Sequence, residues 1–149
     1  MKHKHTLLLS IVETSLNWFQ EEYKQARKWV ACNFNFPNSN VKELSIFEIN
    51  IRYVGGFLAA YALSGDHMYI EKAQDLVDAL LPAFDTPSGI PKSLYNPNTG
   101  GTKNYNWAQQ NAILAEFGTL DLEFQYLSDV SGVEVYYLLR ETGIEGQAC

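Results

Sequence analysis

Glu48 and Arg52 are two charged residues four positions apart in the segment Ser45–Leu63, which is otherwise almost wholly apolar. Residues four apart share one face of a helix, so the spacing predicts that the carboxylate and the guanidinium point the same way. Apolar residues on the other sides predict a helix that is buried nearly all round. Because a buried charge is costly unless it is paired, hydrogen-bonded or used, this pair is the strongest candidate site in the chain.

Glu116 is a further acidic residue inside an apolar helical pattern, which runs from Ala112 to Val130. The pattern leaves two interpretations of Glu116 open, a solvent-facing acid or a second carboxylate of the site. Carboxylates that converge on a pocket suit glycoside hydrolysis, in which one acid protonates the leaving oxygen and a second carboxylate activates water. On these residues alone, a structural helical repeat remains the alternative to an enzyme.

The composition limits the classes of function. The chain has 149 residues, 46% of them hydrophobic, and a net charge of −6, which suits one acidic domain. The absence of a block of lysines and arginines argues against nucleic-acid binding. The sequence contains no run of roughly 20 apolar residues, so no membrane span is expected. A short apolar run, Leu7–Val12, is interpreted as the start of a helix rather than as a secretory signal.

Helical periodicity dominates the chain and predicts an all-α fold. Four helices are expected, over Trp18–Val30, Ser45–Leu63, Asp66–Leu81 and Ala112–Val130, with Asp66 as an N-cap. The second and fourth each hold an unexpected glutamate and end at a Ser-Gly pair. This repetition predicts an α/α assembly in which Ser45–Leu63 and Ala112–Val130 are inner helices, so that Glu48 and Glu116 face one central cavity.

The segment Asp85–Asn106 is the longest stretch without a helical pattern, and it is rich in proline and glycine. It carries or adjoins three aromatic residues, Tyr95, Tyr105 and Trp107. Loops of this length are often functional, so the segment either reaches the cavity and contributes to specificity or is a surface connection anchored by its aromatic residues.

Three long motifs in this chain resemble class I α-mannosidases, which form glycoside hydrolase family 47. They are Phe47–Tyr61, Leu81–Pro91 and Ile113–Phe124, and the similarity extends from about Glu21 to Tyr136. The Ser-Gly-Ile-Pro loop and the Glu-Phe-Gly-Thr helix are closer to Golgi-type members than to those of the endoplasmic reticulum.

The resemblance implies an (α/α)7 barrel with Ca²⁺ in its core. It also implies removal of α-1,2-linked mannose, with inversion, from high-mannose N-glycans in the lumen of the Golgi or endoplasmic reticulum. By position, Glu48 resembles the general acid, acting through a water molecule, and Arg52 resembles the arginine that positions this acid and the substrate. Glu116 resembles an acid on the cavity floor that helps to hold the substrate and the water shell of the calcium ion.

Several features depart from the family pattern. Residues 1–15 and 137–149 lack clear similarity, which leaves 16–136 as part of a catalytic domain. Lys92 stands where relatives usually have an aromatic or apolar residue. The threonine that binds Ca²⁺ directly and the other catalytic carboxylates are expected in segments absent from this chain. We therefore expect an incomplete barrel without activity of its own; the alternative is a non-catalytic, mannosidase-like module that binds glycans or other proteins.

Overall fold

The computed structural model describes residues 20–36 and 42–134. The interpretations made for residues 1–15 and 137–149 lie outside the described residues. The chain divides into two compact units, residues 1–35 and 36–149. In the first unit, the described part is one helix, α1, over residues 20–33, which confirms a helix over most of the expected range and extends it by three residues. Most of its side chains are exposed to solvent.

The second unit begins with strand β1 (Leu44–Ser45) and continues into helix α2 (Ile46–Ile49). Ser45 caps this helix, because its Oγ accepts a hydrogen bond from the backbone N–H of Glu48 at 3.2 Å. A π-helical turn, Asn50–Val54, follows, and then helix α3, Gly55–Ser64. The expected helix Ser45–Leu63 therefore exists with nearly the expected ends, but its middle is π-helical.

Helix α4 (Met68–Leu80) confirms the third expected helix. Its N-cap is His67, so the expectation that Asp66 is the N-cap was wrong by one residue. The Asp66 carboxylate still accepts a hydrogen bond from the backbone N–H of Met68 at 3.1 Å, at the start of the helix. One face of α4 is buried and forms much of the core, through Tyr69, Ile70, Ala73, Leu76, Val77 and Leu80. A 3₁₀ turn, Leu81–Phe84, ends the segment and contains the proline that cannot continue an α-helix.

The segment expected to be irregular contains a small hairpin. Strand β2 (Leu94–Tyr95) pairs with both β1 and β3 (Thr102–Lys103), so the sheet has the order β1-β2-β3 and is antiparallel throughout. A 3₁₀ turn, Asn106–Ala108, follows. The fold is therefore predominantly helical rather than purely α-helical.

The expected helix Ala112–Val130 is divided in two. Helix α5 is Leu114–Phe117 and helix α6 is Asp121–Ser131. At the break, the Thr119 hydroxyl donates hydrogen bonds to the carbonyl oxygens of Ala115 at 3.2 Å and Glu116 at 2.9 Å. A side chain that bonds the preceding turn in this way competes with continuation of the helix.

The core lies where α3, α4, α6 and the π-helical turn meet. Phe84 and Phe124 pack with ring centroids 5.7 Å apart, and Val54, Leu76 and Leu127 are fully buried. The expectation that Ser45–Leu63 is buried nearly all round was wrong. Its buried residues are Ile46, Ile49, Asn50, Val54 and Leu58, which form one face, while Leu63 is 91% exposed.

Candidate active site

Glu48 and Arg52 lie on either side of the junction between α2 and the π-helical turn. Arg52 Nε donates a hydrogen bond to Glu48 Oε2, so the two charged groups form an ion pair, as the spacing predicted. Their burial was predicted wrongly, since the side chain of Glu48 is 45% exposed and that of Arg52 is 67% exposed. The pair lies on the solvent-facing side of the helix, and the opposite side of the helix packs into the core.

The ion pair sets the charge of the carboxyl group. The hydrogen bond from Arg52 lowers the pKa of Glu48 below its ordinary value of 4.5, and this effect outweighs the opposing effect of desolvation. The same bond raises the pKa of Arg52. In this structure Glu48 is therefore ionised at neutral pH and can accept hydrogen bonds from water or from a sugar hydroxyl.

Asn50 and Glu123 join the π-helical turn to helix α6. The side-chain amide of Asn50, which is 1% exposed, donates a hydrogen bond from Nδ2 to Glu123 Oε2 at 2.9 Å. Neither Asn50 nor Glu123 is among the residues selected from the sequence. A signal was present in both cases, because Asn50 is polar in an apolar segment and Glu123 belongs to the motif that contains Glu116.

Glu116 lies on α5 at the edge of a small cavity of about 10 Å³. The cavity is lined by α2, the chain before β2 and α5, through Ile46, Phe47, Pro91, Lys92, Ser93, Ile113, Glu116, Phe117 and Leu120. Glu116 Oε2 is buried and has no hydrogen-bond partner among the described residues. A cavity of this size has room for about one water molecule, so this oxygen is placed to accept a hydrogen bond from water.

The structure brings Glu116 beside the start of the helix that carries Glu48, because Phe47 lines the same cavity. Glu48 itself does not line it. This cavity is therefore not the one that Glu48 and Glu116 were expected to share, and a common cavity for the two carboxylates stays a prediction. Lys92 lines the cavity together with Glu116, which places a cation and a carboxylate around the same small space.

Asn104 fixes the chain around this cavity. Its Oδ1 accepts a hydrogen bond from the backbone N–H of Ser93 at 3.0 Å, and its Nδ2 donates to the carbonyl oxygen of Gln110 at 2.8 Å. Ser93 in turn accepts a hydrogen bond from the backbone N–H of Ile46 at 3.0 Å. The loop that includes Tyr105 and Trp107 is therefore connected, through Asn104 and Ser93, to the first residue of α2.

Residues 20–36 and 42–134 include neither a cluster of metal-ligating side chains nor a helix that could span a membrane. These residues contain no group of three or more His, Cys, Asp or Glu side chains that could hold a metal ion. Over the same residues, no helix combines the length and the hydropathy that crossing a bilayer requires.

The sequence profile of glycosyl hydrolase family 47 matches residues 6–145 of the chain. The chain is 53% identical over 118 residues to mannosyl-oligosaccharide α-1,2-mannosidase IA of Drosophila melanogaster. This aligned region covers 78% of the chain and 18% of that protein. The chain is 45% identical over 118 residues to mannosyl-oligosaccharide 1,2-α-mannosidase IB of Mus musculus, again covering 78% of the chain and 18% of the relative.

A solved structure, that of the α-1,2-mannosidase from Trichoderma reesei, is similar with a TM-score of 0.64 and 32% sequence identity. The similar region covers 78% of this chain and 26% of that enzyme. The chain thus spans about a fifth of the length of the curated relatives that it matches.

Proposed function

We propose, since this chain belongs to glycosyl hydrolase family 47, that it forms part of the catalytic domain of a mannosyl-oligosaccharide α-1,2-mannosidase. The observation that carries the proposal is the Glu48–Arg52 ion pair, which stands on the solvent-facing side of a helix within the matched region. An exposed charge pair on such a helix is open to substrate, whereas the other side of the helix holds the fold together.

In this proposal Glu48 is the proton donor and Arg52 is the residue that orients it. With Arg52 in place the carboxyl group of Glu48 has a lowered pKa and is ionised, so it cannot give up a proton of its own at neutral pH. To act as the donor, this carboxyl group must take up a proton before the glycosidic bond breaks. It then gives that proton to a bridging water molecule, which passes one of its own to the leaving oxygen, so Glu48 is left ionised and the water neutral; this is the water-mediated role that the family resemblance implies. Exclusion of bulk water by bound glycan would oppose the effect of Arg52 and raise the pKa of Glu48, which favours the uptake of that proton.

Glu116 is proposed as an acid on the floor of the site that acts through water. Its buried Oε2 has no partner among the described residues and lies beside a space that fits one water molecule, so it can accept a hydrogen bond from a metal-bound water. Ca²⁺ needs several oxygen ligands, so this single carboxylate does not form a metal site alone. It suits a contact with Ca²⁺ through a water molecule bound to the ion. Ca²⁺, when bound, would supply positive charge and coordination positions for substrate hydroxyl oxygens.

The remaining parts of the proposal follow from the family. The helices over residues 45–64 and 114–131 would be inner helices of an (α/α)7 barrel, and residues 16–136 would be the part of the catalytic domain present here. The substrate would be a high-mannose N-glycan, cleaved with inversion in the lumen of the Golgi or endoplasmic reticulum. The curated relatives, whose names specify mannosyl-oligosaccharides, support this substrate class.

A hybrid enzyme tests the proposal. In it, this chain replaces the matched segment of the Drosophila relative, which supplies the rest of a catalytic domain. We expect the hybrid enzyme to release mannose from a high-mannose N-glycan, with β-mannose as the first product by NMR because inversion changes the anomer. A folded hybrid enzyme that releases no mannose, while the parent enzyme does, would overturn the proposal.

A further inference from the structure

We propose that Glu123 is a positioning residue, which holds the π-helical turn Asn50–Val54 through Asn50 and so sets the geometry of the Glu48–Arg52 pair. The inference rests on the proposed function of that pair. It adds a residue of a different helix, α6, to the set that prepares the site.

Asn50 is held through both its backbone and its side chain. Its carbonyl oxygen accepts the hydrogen bond from the N–H of Gly55 that closes the π-helical turn. Its side-chain Nδ2 donates a hydrogen bond to Glu123 Oε2. Because an ionised carboxylate only accepts hydrogen bonds, the NH₂ group of the Asn50 amide, and not its oxygen, points toward α6. Its Oδ1 is buried and has no hydrogen-bond partner among the described residues.

Glu123 lies near residues at both ends of the π-helical turn. While its Oε2 binds Asn50 at the start of the turn, its Oε1 lies 3.5 Å from the position that a Cβ on Gly55 would occupy, just after the end of the turn. The carboxylate of Glu123 therefore lies beside both ends of the turn. Its bond to Asn50 connects residues that are 73 positions apart in the chain.

The hydrogen bond between Asn50 and Glu123 holds the segment that carries the Glu48–Arg52 pair. Arg52 lies inside the π-helical turn, and Glu48 lies just before it. Wide turns of this kind are rare, and those found inside α-helices are frequently at functional sites. Without Glu123, the side chain of Asn50 would keep neither of its polar groups paired, so the turn would lose the contact that favours it over a regular α-helix. A regular α-helix would still place Arg52 on the same side as Glu48, but with fewer residues per turn it would change the angle at which the two side chains meet.

The structural arm of the test measures hydrogen exchange in the hybrid enzyme by mass spectrometry. Glu123→Leu removes the acceptor, and we expect amide exchange in peptides covering residues 50–55 to accelerate by about tenfold or more, since local stability governs exchange. Glu123→Gln retains an oxygen that can accept from Asn50 and should preserve protection. Glu71→Leu makes the same chemical change on the exposed side of α4 and should have no effect. Unchanged exchange in peptides from α4 shows that the fold is intact.

The kinetic arm separates positioning from a merely structural role. We expect Glu123→Leu to lower kcat by about 10- to 100-fold with KM nearly unchanged, because misplacement of a reacting group acts mainly on the chemical step. Glu123→Gln should restore kcat. Protection of residues 50–55 that survives Glu123→Leu would overturn the inference, as would a loosened turn with unchanged kcat. If Glu48→Gln also leaves kcat unchanged, the proposed function fails, and the exchange arm still decides whether Glu123 holds the turn.

Discussion

Arg52 donates a hydrogen bond to Glu48 across the boundary between an α-helical and a π-helical turn. The bond thus depends on two different backbone geometries. One is that of α2, which Ser45 caps, and the other is that of the π-helical turn, which the hydrogen bond between Asn50 and Gly55 closes. Both charged side chains are partly exposed, so few neighbouring side chains restrict their positions. The backbone to which they are attached restricts them more. The backbone of this segment is therefore the main determinant of how the carboxylate is presented to a substrate.

Glu48→Gln in the hybrid enzyme tests the proposed proton donor. A glutamine of the same shape can neither carry the negative charge nor transfer a proton, so we expect kcat to fall by about 10²–10⁴-fold, with glycan affinity nearly unchanged. Steady-state release of mannose measures kcat, and calorimetry measures glycan binding. Glu71→Gln, at an exposed position of α4, serves as the control and should keep full activity. Near-normal turnover of Glu48→Gln would remove Glu48 from the mechanism.

Arg52→Gln tests the electrostatic role of the guanidinium. The hydrogen bond from Arg52 is the largest cause of the lowered pKa of Glu48, so its removal should raise that pKa toward 4.5. NMR titration of the Glu48 side-chain carboxyl carbon measures the change. Lys103→Gln, which breaks the ion pair of Lys103 with Glu43, is a matched control that should leave the titration of Glu48 unchanged. An unaltered pKa in Arg52→Gln would contradict the assigned cause.

The same shift predicts the pH dependence of the contribution that the ion pair makes to stability. A carboxyl group whose pKa is lowered by folding binds fewer protons in the folded state than in the unfolded state. Its stabilising contribution is therefore complete above the unfolded pKa and is lost as the pH falls through the lowered folded pKa. Between the parent and Arg52→Gln, the difference in unfolding midpoint should be largest near neutral pH and should shrink in acid. A difference that grows in acid would contradict this sign.

The turn at Tyr105 and Trp107 is a candidate platform for glycan. The two rings stack with centroids 5.4 Å apart, and the side chain of Trp107 is 75% exposed. Because an aromatic face can pack against the C–H surface of a sugar, we expect Trp107→Ala to raise KM by about threefold to tenfold and to change the order in which mannose residues are removed. Trp29→Ala, at an exposed tryptophan of α1, is the control. An unchanged product pattern would favour a surface connection without contact to substrate.

Asn104→Ala tests the connection between this loop and α2. The substitution removes the partners of the Ser93 N–H and the Gln110 carbonyl, in a position that is buried, so we expect a loss of about 1–3 kcal/mol of stability. The midpoint of urea unfolding of the hybrid enzyme measures the loss. Asn111→Ala, at an exposed position in the same segment, should leave the midpoint unchanged. Equal midpoints for both variants would show that Asn104 does not support the loop.

The helix ends could be predicted from the sequence because they depend on local chemistry. Gly65 and Gly132, the glycines of the two Ser-Gly pairs, both adopt the left-handed conformation, with φ of 69° and 70°, and end α3 and α6. The hairpin could not be predicted, since strands of two residues are too short for an alternating pattern. The break between α5 and α6 was missed because apolar residues recur at helical spacing on both sides of it, and only Gly118, which ends α5, and the hydroxyl of Thr119 mark it.

The charge pair of the site could be predicted from spacing, but its exposure and its support could not. Helical spacing places Glu48 beside Arg52 wherever the helix lies, whereas burial depends on which neighbours cover each face. The contact of Asn50 with Glu123 is long-range, so no local pattern contains it. The π-helical turn was missed as well, and the side chain that we propose to hold it, Glu123, lies on another helix.

The chain of residues 1–149 by itself is expected to associate and to release no mannose. Three leucines on different helices are strongly exposed, Leu63 on α3 at 91%, Leu122 on α6 at 75% and Leu114 on α5 at 61%. A mainly apolar groove of about 470 Å³ also opens between α3 and α6. Exposed apolar surface of this kind promotes association of soluble proteins, and the matched region covers only 26% of the T. reesei enzyme.

Light scattering and a mannose-release assay on the purified 149-residue chain check this expectation. The double variant Leu63→Glu and Leu122→Glu should reduce association, because charges on both leucine positions oppose contact between apolar surfaces. Asp75→Glu and Asp129→Glu, conservative changes at exposed positions of α4 and α6, together form the control and should leave association unchanged. A monomeric chain with a sharp thermal transition and calcium-dependent release of mannose would show that these residues alone complete the site.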